Sequence, residues 1–188
     1  MKFEILKEEI IFDDHFKINK AKIKHELFDS SFIEVDRLCF ERGDSVAIII
    51  YEKDTDMLLF TNQFRYPTIK EKGWILELVA GSIELGDIAE DRVRKEVEEE
   101  IGYMVNEIQF INSFFVSPGG TSERISLYYS EVDSKNKVFK GGGMKFEKED
   151  IQLIKIKSSD VKEQMKTNQF RDAKTIIGLQ WFYLNRYK

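Results

Sequence analysis

Apolar and polar residues alternate with a period of two through the first forty positions, in the short pieces "FEILKEEIIF" (3–12), "KIKHELF" (22–28) and "FIEVDRLCF" (32–40). That period puts every second side chain on one face and predicts half-buried strands. The pattern changes at "DSVAIIIYE" (44–52), an unbroken apolar run, which is followed by "KDTD" and then "MLLFTNQFR" (57–65). A short apolar run ending in a turn predicts a hairpin whose first strand is buried. "GWILELVAGSIELGD" (73–87) predicts one strand running into a glycine-bearing loop. From Asp87 to Ile101 the period becomes helical, with Val93, Val97 and Ile101 forming the apolar stripe. "NEIQFINSFFVS" and "ERISLYYSEVD" read as strands joined by "PGGTS", and "IQLIKIK" (151–157) as one more. "SSDVKEQMKTNQ" predicts a helix with a serine N-cap, and "DAKTIIGLQWFYLNRY" a final, more apolar helix. Strands first, then strand–helix–strands–helix–helix, predicts an α+β sandwich rather than a doubly wound sheet. A soft boundary at "ERG" separates residues 1–42 from 43–188.

Composition narrows the classes of function. Apolar residues make up 42% of 188, enough for a real core, so disorder is excluded as the ground state. The net charge of −5 is spread over mixed acids and bases without a long basic run, which argues against a nucleic-acid partner. Cys39 is the one cysteine; an intrachain disulfide is impossible and a reducing cytoplasm is expected. Between Leu38 and Phe40, Cys39 reads as a small buried apolar residue. "MKFEILKEEIIFDD" is no signal peptide, and no apolar run approaches the ~20 residues of a membrane span.

The unusual stretch is "RKEVEEEIGY" (94–103), where carboxylates crowd the end of a helix whose dipole is already negative there. Glu96, Glu99 and Glu100 stand at i, i+3 and i+4 and share a face, while Glu98 points elsewhere. Like charges at these spacings repel by a few tenths of a kcal/mol per pair. A hard divalent cation such as Mg²⁺, which takes oxygen ligands, reverses the sign of that cost. The bland alternative is a solvated acidic face offset by Arg92, Arg94 and Lys95.

The longer stretch "GSIELGDIAEDRVRKEVEEEIGY" (81–103) resembles the signature of the Nudix hydrolases, with Gly81, Glu96, Val97, Glu99, Glu100 and Gly102 at the required spacing and Tyr103 a loose match. Two positions depart: Asp87 stands for the signature glutamate and Lys95 for the arginine. In the family those two side chains commonly pair to brace the loop, and Lys lacks the fork that Arg offers. The resemblance implies an α/β/α sandwich with a small N-terminal β domain. It also implies hydrolysis of a nucleoside diphosphate linked to another group, with Mg²⁺ (or Mn²⁺) held by Glu96, Glu99, Glu100 and the Ala80 carbonyl.

"LELVAG" (76–81), "QFR" (63–65), "SPGGTSER" (117–124), "FERG" (40–43), "EKEDI" (147–151) and "IIGLQWF" (176–182) resemble the ADP-ribose and nucleotide-sugar pyrophosphatase branch, so the likeness spans residues 36–183. It implies that Arg37 and Arg65 contact substrate, guanidinium groups being suited to phosphate. Gly119 and Gly120 would let a loop approach the diphosphate, with Glu123 beside them. The catalytic acids would be Glu100 and, from a loop freed by Gly141–Gly143, Glu147 as the first choice of base and Glu149 as the second. Glu77 is a weaker substrate contact. The N-terminal strands would exchange across a homodimer, where Phe28 and Phe32 either stack on the base or fill a core.

The reading is a cytoplasmic, Mg²⁺-dependent, homodimeric hydrolase of ADP-ribose or a related nucleoside diphosphate sugar, with no nucleic-acid or membrane partner. Within the class the rival is a GDP-mannose or UDP-sugar pyrophosphatase, since "RDAKT" (171–175) and "GGG" before "EKED" lean that way. From another class the rival is a non-catalytic Nudix domain that senses a nucleotide metabolite. It is disfavoured because every box carboxylate is present. A house-cleaning hydrolase of nucleoside triphosphates is disfavoured by "SPGGTSER" and the N-terminal strands.

Overall fold

The three alternating N-terminal stretches correspond to strands, β1 (Phe3–Asp13), β2 (Lys17–Glu26) and β3 (Phe32–Glu41), although β2 starts before the second stretch and leaves its Leu27 and Phe28 to the following turn. They pair antiparallel in the order β1-β2-β3, with Ile23 opposite both Ile5 and Val35. The computed structural model describes residues 1–187 and divides into two units, 1–44 with 115–124, and 45–114 with 125–187. In the first unit β1 is exposed along its whole length, and Phe28 and Phe32 are exposed rather than core. Cys39 is also not fully buried; a three-stranded sheet has too little mass to cover it.

In the second unit β4 (Ser45–Glu52) and β5 (Met57–Phe64) form the expected hairpin, with Ile50 opposite Leu59. The predicted single strand after it is two, β6 (Trp74–Glu77) and β7 (Val79–Ser82), because the chain changes partner at Leu78. β6 pairs with β5 and β7 with β4. Helix α1 (Ala89–Glu96) follows, continuing as a π turn over Val97–Ile101. Then come β8 (Gln109–Phe115), β9 (Arg124–Val132), β10 (Gln152–Lys157), α2 (Ser158–Lys166) and α3 (Ala173–Asn185). The main path of the sheet is β10-β5-β4-β9-β8, with β4 and β9 parallel.

The unbroken apolar run of β4 is explained by its central place. Val46, Ile48 and Ile50 face a core shared with Val93, Val97 and Ile101 of the acidic helix. Ala47 and Ile49 face the opposite core, with Val161 of α2 and Leu179 and Phe182 of α3. Strand alternation therefore feeds two layers at once and makes a helix–sheet–helix sandwich. Each buried Ile or Leu removed from water contributes about 1.5–3 kcal/mol. Ser158 is the first residue of α2, not its cap; Lys157 takes that position, and the Ser158 hydroxyl bonds Asp56 instead.

Candidate active site

The site is assembled where β7 passes α1. The apolar stripe Val93, Val97 and Ile101 is fully buried and fixes the rotation of the helix. That rotation turns Glu96 and Glu100 inward, 5% and 2% exposed, and leaves Glu99 half-buried. The π turn adds to this: the Gly102 N–H bonds the Val97 carbonyl at 3.0 Å, five residues back. Such turns widen a helix locally and collect at functional positions. Gly81 lies so near that a Cβ would collide with the Glu96 carboxylate, so glycine here is a matter of space.

The two buried carboxylates are poorly compensated. Burial pushes the Glu96 carboxyl up to about 7; Arg92 opposes the shift and Glu99 and Glu149 add to it. Glu96 pairs with Arg92, yet its buried Oε1 has no well-formed hydrogen bond. Glu100 is driven well above the carboxylate range by burial first, then by Glu96 and Glu149, against one 3.3 Å bond from the Ala80 N–H. Two acids held together out of water want a cation or a proton. Among the described residues no three acidic, His or Cys side chains are placed closely enough to hold an ion as they stand. The donor set nevertheless fits a hard divalent cation in kind: the buried carboxylates of Glu96 and Glu100, the half-buried one of Glu99 and a backbone carbonyl at Ala80, with Glu96 Oε1 meeting the Arg92 guanidinium as the protein stands.

The departures Asp87 and Lys95 do not brace one another. The Asp87 carboxylate accepts from the Glu84 N–H at 3.0 Å and caps its own loop, while Lys95 reaches Glu99 at 3.6 Å. The expected loop-to-helix brace is thus replaced by two local contacts. Arg92, Glu96's partner, was legible only as one of three cations offsetting the acids.

Arg65 and Glu77 form a second cluster. Arg65 Nε donates to Glu77 Oε1 at 2.7 Å, and Glu77, 3% exposed, also binds Lys174, itself 3.1 Å from Asp172. Burial lowers the Arg65 guanidinium's pKa, but Glu77 beside it more than reverses that. Asp172 caps α3 through the Thr175 N–H at 3.0 Å, and the Thr175 hydroxyl accepts from the Leu78 N–H at 3.0 Å. The start of α3 therefore holds the kink between β6 and β7. The sequence reading missed Lys174 and Thr175; a lone lysine in an otherwise apolar helix was the available signal.

The loop after β9 meets the π turn through its glycines. Gly142 and Gly143 N–H groups donate to the Glu100 and Glu99 carbonyls at 2.8 and 3.0 Å. Gly141, Gly142 and Gly143 all have positive φ, between 68° and 105°, a conformation other residues adopt only with strain. Beyond them Glu149 accepts from the Met144 N–H at 3.0 Å and lies within electrostatic reach of Glu96 and Glu100. Glu147 ends a short 3₁₀ turn and is exposed.

The remaining candidates lie in the N-terminal unit. Arg37 is exposed and bonds the Asp36 carbonyl at 2.9 Å. Glu123 is buried and pairs with Arg42 at 3.3 Å. Gly119 and Gly120 have no left-handed φ, and a Cβ at either would meet open space. The backbone itself gives no reason for glycine at those two positions.

Fold and acidic helix together define a class, and the comparisons agree with it. The model of the NUDIX domain matches residues 41–182, and the chain belongs to that family. It is 34% identical to the ADP-ribose pyrophosphatase of Escherichia coli K12 over 97% of this chain and 88% of that protein. It is 34% identical to the ADP-ribose pyrophosphatase of Haemophilus influenzae over 97% and 86%. The GDP-mannose pyrophosphatase of Cronobacter sakazakii is 29% identical over 96% and 95%. A crystal structure titled as an ADP compounds hydrolase superposes with a TM-score of 0.75 over 100% of this chain and 98% of that one, at 16% identity, and shows the fold.

Proposed function

We propose that this Nudix pyrophosphohydrolase cleaves the diphosphate bond of ADP-ribose, or of a closely related nucleoside diphosphate sugar, to a nucleoside monophosphate and a sugar phosphate. The carrying observation is the buried pair Glu96 and Glu100 beside Ala80 and Gly81, offset by Arg92 and a 3.3 Å bond from the Ala80 N–H. Glu96, Glu99, Glu100 and the Ala80 carbonyl would hold Mg²⁺, with Mn²⁺ as a substitute. A bound divalent cation neutralises diphosphate charge and lowers the pKa of its water. Arg65 is ion-paired on one edge by Glu77 and still partly exposed, so its remaining N–H groups are available to phosphate. Arg37, Glu123, Gly119 and Gly120 are assigned to substrate on the family resemblance.

Glu147 is the base we assign. Glu149 is engaged in its own loop's hydrogen bond, whereas the Glu147 carboxylate is exposed and can move with the loop. The ADP-ribose reading rests on relatives of that name at 34% identity, against 29% for one named for GDP-mannose. We also place the protein in the cytoplasm as a homodimer joined through β1–β3. Exposed Phe3 and Phe12 of β1, with Phe28 in the turn after β2, support a partner, and light scattering that returns one chain mass removes the dimer. No described helix is long and apolar enough to cross a membrane.

The test is phosphate-coupled hydrolysis of ADP-ribose, GDP-mannose, UDP-glucose and ADP-glucose, with Mg²⁺ or with EDTA. Mg²⁺-dependent turnover with ADP-ribose preferred is expected. A GDP-mannose preference moves the substrate, and silence across the panel in a folded protein leaves a binding module. Glu147→Gln is expected to lose about a hundredfold or more in kcat, and Glu149→Gln less. The reverse order reassigns the base.

A further inference from the structure

Tyr103 is the loosest match in the Nudix signature, a phenol where an aliphatic residue is expected. It is fully buried, and its hydroxyl donates to Glu52 Oε2 at 2.5 Å. Glu52, at the end of β4, is also fully buried and accepts from Lys155 Nζ at 2.8 Å on both oxygens. Lys155 Nζ lies 5.3 Å from the Tyr103 ring centroid. Lys137 Nζ lies 5.5 Å from the same centroid and donates to the Ile101 carbonyl at 2.8 Å. Residue 137 also bridges residue 103 through the backbone, and the Val138 N–H bonds the Gly102 carbonyl at 3.0 Å.

These contacts have a common geometry. Lys137 opens the segment that carries Glu147 and Glu149, and Lys155 stands on β10 just after it closes. Both feet of that segment are therefore set on one aromatic ring, which directly follows the carboxylate turn. Between the feet, Gly142 and Gly143 bond the carbonyls of Glu100 and Glu99. Cation–π contacts contribute about 0.5–1 kcal/mol each at exposed sites and more when desolvated.

We propose that Tyr103 is a positioning residue: through Lys137, Lys155 and Glu52 it clamps both ends of the base-bearing loop against the carboxylate turn. An aliphatic side chain keeps the core apolar but offers no ring face to either lysine and no hydroxyl to Glu52, leaving Lys155 to Glu52 and Lys137 to the Ile101 carbonyl, so the tyrosine adds to loop position rather than to fold. The proposal rests on the reading of that loop as the source of the base.

The test is hydrogen exchange of the whole protein without substrate, paired with ADP-ribose kinetics, for Tyr103→Leu and Tyr103→Phe. In Tyr103→Leu, exchange over 138–150 is expected to quicken about tenfold while β4 and β9 stay protected, and kcat to fall about tenfold with KM within about twofold. Tyr103→Phe keeps the ring and is expected to recover loop protection and most of kcat. Unchanged loop exchange in folded Tyr103→Leu overturns the clamp, as does a rise in KM alone. If Tyr103→Leu does not fold, Lys137→Met replaces it: it removes one foot at an exposed position, and its loop must again exchange faster. If wild type turns over no substrate, the exchange result still decides the clamp, and the failure belongs to the functional reading.

Discussion

Glu52 and Glu100 are carboxylates of the same unit, both cut off from water, and they are held in opposite states. Burial works against the ionised form of Glu52, yet hydrogen bonds from Lys155, Thr55 and Tyr103 outweigh it and bring its carboxyl below the usual range. Glu100 has a 3.3 Å bond from Ala80 and three acidic neighbours, Glu96, Glu149 and Glu77, and burial with those acids drives its carboxyl far upward. A buried charge with full partners is structural. A buried charge left short of partners is a binding site in waiting, because only a ligand or proton completes it. Burial alone thus does not distinguish structural acids from functional ones; the inventory of donors does.

The contrast breaks most readily at the functional end. Glu100→Gln is expected to cut turnover about a thousandfold, or roughly 4 kcal/mol of barrier. Its melting temperature should match or exceed wild type, since an acid buried among other acids is replaced by a neutral amide of the same shape. Mg²⁺ should then no longer raise that temperature, whereas saturating ion is expected to stabilise wild type by about 2–3 kcal/mol. A variant that is both active and stabilised by Mg²⁺ removes Glu100 from the site. Gly81→Ala comes next: its Cβ displaces the Glu96 carboxylate, and a loss of about a hundredfold in kcat is expected with the fold retained by circular dichroism.

At the structural end, Glu52→Gln should destabilise by about 2–3 kcal/mol in urea unfolding, because Lys155 and Tyr103 lose a charged acceptor. A variant as stable as wild type places Glu52 with Glu100 rather than against it. The smallest effect is in pH. A carboxyl lowered in the folded state adds stability that is full above its ordinary value of 4.5 and disappears as pH falls through the folded value. The stability gap between wild type and Glu52→Gln should therefore be constant near neutrality and narrow below about pH 4.5. A gap that widens in acid reverses the sign assigned to Glu52.

Much of the fold is legible in patterning. Period-two stretches became β1 to β3, the apolar run became the central β4, and the stripe of Val93, Val97 and Ile101 became the buried face of α1 and its π turn. The break at Leu78 was not legible, because "WILELVAG" alternates as one strand would; its division comes from pairing with two different partners. Nor was the fate of Asp87 and Lys95, whose charges suit a pair but whose contacts are local.

What the sequence by itself determined is the order of elements, the family, and which carboxylates are candidates. These follow from residue type and spacing, which are local properties. Only the tertiary structure decided that Glu100 is left with a single bond, that Glu77 is shared by Arg65 and Lys174, and that Tyr103 carries both lysines. Those facts join residues up to 97 positions apart. Whether a charge is compensated depends on what packing brings beside it, and spacing along the chain carries no record of that.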